Sequence, residues 1–290
     1  MGPFTPMKRK SPKLRIATCQ FAIGPDIRRN SRRIQLQVEA AKAQGADVVH
    51  FPECALPGYA GTAFQTWEGF DWTTLSSETE KIMTLARRRR IWIILGTHHR
   101  LTGSHLPHNS LYAIDPNGRI AERYDKRFCT VEDLKYYTPG NHFPVIEIKG
   151  VRCGMLICHD VRYPELYRAY RKLDVDCLLN SFHNACQKGP GVLTTIMRAT
   201  LQARAASNFI WISAPNSSAN YSLWPSVFIQ PDGIVTGTLT RNRAGIMVNT
   251  VDTGAPLRDA SIAFRRDAMA GKLHSGSLVR DVRSRDRRLH

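Results

Sequence analysis

Apolar and polar positions along this chain follow two periods, one suited to strands and one to helices. Residues 14–21 (LRIATCQF) are a dense apolar run of strand length. Residues 27–45 place Ile34, Val38 and Ala41 on one helical face, with Asn30 or Ser31 as candidate caps and Gly45 at the stop. The run 47–51 (DVVHF) predicts a short buried strand. Ser77 and Glu80 have the spacing of a capping box for a helix reaching about Arg88, and 91–95 (IWIIL) predicts another buried strand. Two hairpins follow, 110–114 with 120–124 around Asp115-Pro116-Asn117-Gly118, and 145–148 with 151–157 around Lys149-Gly150. Residues 164–173 predict a helix, 175–179 a strand, 194–207 a longer helix and 209–213 a strand. A last hairpin pairs 226–230 with 234–238 around Pro231-Asp232-Gly233. Beyond Pro256 the pattern becomes polar, basic and weakly periodic, as in an arm that orders only against another subunit. This order of strands, helices and hairpins predicts a mixed sheet in a layered α/β fold. The chain divides into a basic flexible leader (1–13), one domain (14–255) and a basic C-terminal arm (256–290).

With 290 residues and 42% hydrophobic content, the chain can bury the core of one large domain. No apolar run approaches the roughly 18 residues that span a bilayer, so no membrane partner is expected. The N-terminal segment lacks the apolar core of a secretory signal. Seven cysteines, an odd number with several inside apolar runs, fit reduced thiols and a cytoplasmic location. No C-x-x-C pair or H-x-x-x-H cluster is present, so a structural zinc site is not expected. The net charge of +17 raises the question of a polyanion partner. That charge is spread over the N-terminal third, the run from Arg87 to Arg90, and the tail around Arg280, Arg283, Arg285, Arg287 and Arg288. No nucleic-acid-binding motif accompanies it, so solvated surface is the expectation and nucleic acid is not.

Three segments carry candidate chemistry. In Phe51-Pro52-Glu53-Cys54-Ala55-Leu56-Pro57-Gly58-Tyr59 a carboxylate stands where a buried strand breaks. Desolvation there raises its pKa toward that of a general base. In Arg123-Tyr124-Asp125-Lys126-Arg127-Phe128 an ammonium follows a strand, placed to meet negative charge on a substrate oxygen. In the stretch from Gly154 to Glu165 an apolar strand runs into Cys158, a polar turn follows, and a helix starts near Pro164. This is the logic of a nucleophile elbow, and a lysine with a helix N-terminus nearby should lower the thiol pKa. Each segment alone also suits an ordinary surface or core residue; their combination is the specific signal.

Together these segments resemble the nitrilase superfamily, the carbon–nitrogen hydrolases. FPE-x-A-L-x-G-Y is similar to that family's glutamate motif, Y-x-K to its lysine motif, and C-x-D-x-R-[FY]-P-E to its cysteine motif. The resemblance extends over about residues 14–253, through Asn109-Ser110, Ala203-Arg204-Ala205 and Ala214-Pro215-Asn216. It implies a four-layer αββα sandwich and a homodimer or larger homo-oligomer. It implies a triad in which Cys158 attacks a small amide or carbamoyl substrate, Glu53 moves the protons and Lys126 holds the oxyanion. The backbone N–H of His159 is implied as a second oxyanion donor, and no metal or organic cofactor is implied. The same resemblance places a second acidic residue in the loop after the lysine, at Glu132 or Asp133, with Glu132 favoured for its chain length. His159, where the family often has Tyr, reads as a polar pocket wall that titrates near neutral pH. Arg162 and Glu165 are expected to brace the elbow or a dimer contact, and Tyr221 and Trp224 to pack or to edge the pocket. The segment after Cys158 favours an amidase over an N-carbamoyl hydrolase or a nitrilase. Two other readings compete: a Cys-His hydrolase pairing Cys158 with His98, His99 or His183, and a non-catalytic polyanion-binding protein on the same fold.

Overall fold

The computed structural model of the protein describes residues 11–186, 188–189, 191–286 and 288. In chain order, the first sheet comprises β1 (Lys13–Gln20), β2 (Val48–His50), β3 (Trp92–His99), β4 (His108–Ile114) and β5 (Ile120–Asp125). The second comprises β6 (Val145–Ile148), β7 (Val151–Ile157), β8 (Cys177–Ser181), β9 (Trp211–Ala214), β10 (Val227–Ile229) and β11 (Val235–Thr238). A late strand, β12 (Gly245–Asp252), returns to the first sheet and pairs antiparallel with β1. Each sheet has six strands, with a parallel trio flanked by antiparallel neighbours: β1-β2-β3 in one, β7-β8-β9 in the other.

Alternation along the strands decides the layers. Leu14, Ile16 and Val48 join Met155, Ile157 and Leu178 in one core cluster, whereas Ala17, Cys19 and Val49 join the other. That second cluster is closed by Ile34 and Val38 of α1 (Ile27–Ala43) and by Ile82 and Leu85 of α2 (Trp72–Arg89). Leu166 and Tyr170 of α3 (Pro164–Lys172), with Met197 and Leu201 of α4 (Val192–Asn208), pack on the second sheet. The result is an αββα sandwich, the fold implied by the family resemblance.

The interface between the sheets also holds a polar line. Ser181 Oγ donates to Phe51 O at 2.7 Å, so it accepts from His50 Nε2–H at 2.9 Å. His50 Nδ1 is then an acceptor, 2.9 Å from Ser213 Oγ, which lies 2.7 Å from Thr18 Oγ1. Burial pushes His50 down to about 3, which keeps this ring neutral.

Several local expectations are revised. Asp26, not Asn30 or Ser31, caps α1, accepting from Arg29 N–H at 2.9 Å. Asn30 instead ties Gly24 O and Leu56 O together from a buried position. Asp71 caps α2, six residues before the cap that the Ser77/Glu80 spacing proposed. One mixed sheet becomes two, and β12 lies in a stretch to which no element was assigned. The first three residues of the described chain belong with the sheets: Pro12 O accepts from Thr253 N–H, and β1 begins at Lys13. Residues 1–10 of the expected leader lie outside the described residues.

Residues 258–290 form a separate compact unit. It holds two described helices, α5 (Ile262–Met269) and α6 (Val282–Arg285), with Arg265 paired to Asp259. Among the described residues no helix is long and apolar enough to cross a membrane.

Candidate active site

The ends of β2, β5, β7 and β8 bring the candidate residues together. Glu53 follows β2 in a turn held by Phe51 N–H to Ile94 O (3.0 Å), Leu56 N–H to Gly96 O (3.0 Å) and Glu53 N–H to Phe182 O (3.3 Å). Gly96 makes that turn possible, because a Cβ there would lie 2.1 Å from Pro52 O and 2.7 Å from Cys54 N. Lys126 follows β5, pinned by its N–H to Asn109 O and by Gly140 N–H to its carbonyl, both at 2.9 Å. Cys158 follows β7 with φ of +42°, a left-handed conformation that costs a non-glycine residue about 1–3 kcal/mol. Asp160 secures this elbow: its carboxylate accepts from Ile157 N–H (3.0 Å), Phe128 N–H (2.9 Å) and Tyr124 OH (2.7 Å). The segment carrying the nucleophile candidate is thus tied directly to the segment carrying Lys126. Burial raises the Asp160 carboxyl to about 6, against the pull of those three donors.

The Lys126 side chain is 1% exposed, and its Nζ lies 2.9 Å from Glu53 Oε1 and 2.8 Å from Asp133 Oδ2. Asn109 Nδ2 also donates to Glu53 Oε1, at 2.7 Å. Glu53 Oε2, equally buried, has no hydrogen-bond partner. Asp133 is fixed in turn by Thr130 N–H (2.9 Å) and by Tyr59 OH. Geometry therefore corrects the preference for Glu132. That side chain is 74% exposed at the pocket rim and pairs with Lys135 at 2.6 Å. Asp133 starts a short 3-10 turn that points it inward, and its shorter reach suits the tight distance to Lys126.

Charge in this buried cluster is uneven. Burial would push the Lys126 ammonium down, but Glu53, Tyr59, Cys158 and Asp133 together hold it well above its ordinary value. The Asp133 carboxyl falls below the usual range because Lys126, Tyr59 and Thr130 outweigh its own desolvation. Burial raises the Glu53 carboxyl, with Lys126 opposing and Asp133 reinforcing. The Cys158 thiol stands well above its usual value through burial and the charge of Glu53. This reverses the expectation of a lowered thiol pKa. Lys126 and the backbone N–H of His183 pull downward without winning, and α3 begins only at Pro164.

A cavity of about 570 Å³ opens onto Cys158. Ala60, Val161, Leu193 and Met197 give it apolar wall, while Tyr59 stacks on His183 at 5.0 Å. His159 does form part of the wall; desolvation and Lys126 lower its pKa, keeping it neutral. Arg162 lines the pocket mouth as well as bracing the elbow through its carbonyl, which accepts from Arg204. Glu165 is exposed and does not line the cavity. Trp224 is buried and Tyr221 lies by a different cleft, so neither edges this one. His98 is buried against Gly58 O at 3.0 Å and His99 pairs with Arg123 and Tyr112. Neither supplies a base to Cys158. Sequence reasoning met Asn109 only as part of the family resemblance and missed Asn184 and Gly96, whose residue types carry no signal until the fold places them. Among the described residues no three His, Cys, Asp or Glu side chains group to hold a metal ion.

Comparison with known proteins agrees with this architecture. The carbon–nitrogen hydrolase family model matches residues 15–256. Nitrilase homolog 2 of Dictyostelium discoideum is 24% identical over 267 residues, spanning 85% of this chain and 77% of that one. An (R)-stereoselective amidase from a Pseudomonas species is 30% identical over 175 residues, spanning 60% of each. An amidase of the nitrilase superfamily from Nesterenkonia AN1 superposes with a TM-score of 0.76 at 24% identity, covering 92% of this chain and 98% of that chain. With its sandwich, its three motifs and that family match, the chain belongs to the carbon–nitrogen hydrolases of the nitrilase superfamily.

Proposed function

We propose that this chain is an amidase that releases ammonia from a small amide through a thioester on Cys158. The observation that carries the reading is the division of labour at Glu53. Oε1 is occupied by Lys126 and Asn109, while Oε2 is buried and unpartnered. Leaving a buried acceptor unsatisfied costs about 1–3 kcal/mol, and the free lone pair is what a proton acceptor needs. In the proposed cycle Cys158 Sγ attacks the amide carbon as its proton passes to Glu53. The carbonyl π pair moves to oxygen, where Lys126 donates to it. Collapse breaks the C–N bond, and the nitrogen leaves as ammonia with the proton from Glu53. Water then attacks the thioester while Glu53 takes its proton, the acid is released, and the sulfur regains a proton from Glu53.

The pocket mouth narrows the substrate. Lys126, Asp133 and Glu132 are each engaged in ion pairs, which leaves Arg162 as the charged lining residue outside any ion pair among the described residues. An amide with a carboxylate at its far end fits that charge, whether an ω-amide or an N-carbamoyl amino acid. The test is ammonia release from amides, carbamoyl compounds and nitriles, with and without a carboxylate, for the native chain and Cys158→Ala. Release lost in the variant and strongest for carboxylate-bearing amides is expected. Release that survives Cys158→Ala would refute the mechanism.

A further inference from the structure

The loop after β8 carries an amide whose orientation is fixed by a partner that can only donate. Asn184 Oδ1 accepts from Trp224 Nε1–H at 2.9 Å, and an indole N–H has no acceptor capacity. The carbonyl end of Asn184 is therefore held on Trp224, and its NH2 end faces the other way. There Nδ2 lies 3.5 Å from Cys158 Sγ. The surroundings allow little slack. Asn184 N–H donates to Asn216 Oδ1 at 2.8 Å, and Asn216 Nδ2 donates to Trp224 O at 2.8 Å. Trp224 is buried edge-on against Phe182, with centroids 4.7 Å apart. Asn184 also lines the cavity, so its NH2 group meets the sulfur where substrate would arrive.

We propose that Asn184 is a further catalytic residue, donating to Cys158 Sγ whenever the sulfur carries negative charge, with Trp224 as the positioning residue that aims it. This rests on Cys158 being the nucleophile. In that cycle the sulfur is anionic twice. It becomes so as its proton passes to Glu53 before the C–S bond is complete. It becomes so again when the C–S bond of the tetrahedral adduct breaks and the electron pair returns to sulfur. An N–H donor gains little from a thiol or a thioester sulfur and much from a thiolate, so it lowers the barriers more than the ground states. The device answers the local problem, because burial and Glu53 otherwise disfavour charge on this sulfur. A role in holding substrate instead would act on KM.

The test uses the full chain with Asn184→Leu, Asn184→Asp and Trp224→Phe. Two quantities are read: kcat and KM for an amide that releases ammonia, and the rate of Cys158 alkylation by iodoacetamide against pH, followed on the Cys158 peptide by mass spectrometry. Asn184→Leu should lower kcat roughly 10- to 100-fold with KM nearly unchanged, the loss expected for one charge-assisted donor. Its alkylation profile should move to higher pH. Asn184→Asp, which turns an acceptor toward the sulfur, should go further in the same direction. Trp224→Phe keeps the ring but frees the amide to flip, so it should show a smaller shift of the same sign. Unchanged kcat and profile in folded Asn184→Leu, or a change in KM alone, would overturn the proposal; should that variant not fold, Trp224→Phe decides it. Turnover that persists in Cys158→Ala would instead overturn the nucleophile assignment beneath it.

Discussion

Replacing Asp133 by Asn should move the acid limb of the activity profile to lower pH and slow turnover at the same time. Asp133 Oδ2 and Glu53 Oε1 hold one nitrogen at 2.8 and 2.9 Å, so these oxygens are about 5.7 Å apart at most. At an effective dielectric near 20, two unit charges at that separation repel by about 3 kcal/mol. This repulsion is one reason the Glu53 carboxyl is raised. Removing the charge of Asp133 removes it, and it also leaves Lys126 to pair with Glu53 alone. Both effects favour the Glu53 carboxylate over its acid. The group acting as base therefore becomes weaker, and activity is lost at a lower pH than in the native chain.

The acid limb of kcat/KM should fall by at least about one pH unit, since each unit corresponds to about 1.4 kcal/mol. The plateau should drop roughly 10-fold or more, because a weaker base transfers the proton less readily and Asn cannot accept from both Thr130 N–H and Tyr59 OH. The assay is ammonia release from one amide across pH, with melting curves to exclude unfolding. Glu132→Gln is the control. Its carboxylate is exposed and paired with Lys135, so its profile should overlay the native one. An acid limb that stays in place in Asp133→Asn, or moves upward, would refute the electrostatic argument. An equal effect in Glu132→Gln would refute the assignment of position.

Two further outcomes follow from burial. Gly96→Ala puts a Cβ against backbone atoms of the Glu53 turn, so activity should fall roughly 100-fold, with a stability loss of about 1–3 kcal/mol seen in thermal melts; near-native activity would show that the turn can yield. Acidification should destabilise the chain. Burial lowers His50 and His98 to about 3 and His183 to about 4, against 6.5 for free imidazole. The unfolded chain thus binds more protons below pH 6.5, and stability falls as pH drops toward those lowered values. From pH 6.5 to 5 each ring contributes about 1.6 kcal/mol of loss, while Asp160, raised to about 6, returns about 1.2, for a net of about 4 kcal/mol. Urea unfolding at both pH values measures it, and equal or greater stability at pH 5 would contradict the neutral buried rings.

The fold was legible where its causes are local. The hairpin around Lys149-Gly150 falls on the residues its turn chemistry indicated, and α3 begins at Pro164 as that residue's fixed φ requires. Two sheets could not be read from alternation alone, because a strand's period says which side is buried and not against what. β12 escaped notice because most of its positions are only half-buried, and its order comes from pairing with β1 more than 200 residues earlier. Glu53, Lys126 and Cys158 were singled out through their motifs; the structure places Lys126 and Cys158 on one cavity and pairs Glu53 with Lys126. The choice between Glu132 and Asp133 was not legible. Chain length favoured the glutamate, yet the direction of one 3-10 turn decides which carboxylate faces Lys126.

The raised thiol pKa has a consequence for the proposed chemistry. Lys126 carries one positive charge, and Glu53 and Asp133 beside it carry two negative ones. A resting thiolate would add a third negative charge to a desolvated cluster that already has an excess of one. The thiol therefore stays protonated, which makes it a poor target for oxidants and alkylating agents between turnovers. Reaction does not require the missing charge to be created. As Glu53 accepts the proton, negative charge passes from its carboxylate to sulfur and then to the substrate oxygen beside Lys126. The sum over the cluster is the same at each stage, so the low dielectric of the site penalises no step for gaining charge. Nucleophilicity in this arrangement belongs to the Glu53–Cys158 pair. A variant that lowers the thiol pKa by removing the charge of Glu53 should therefore gain thiolate and lose turnover.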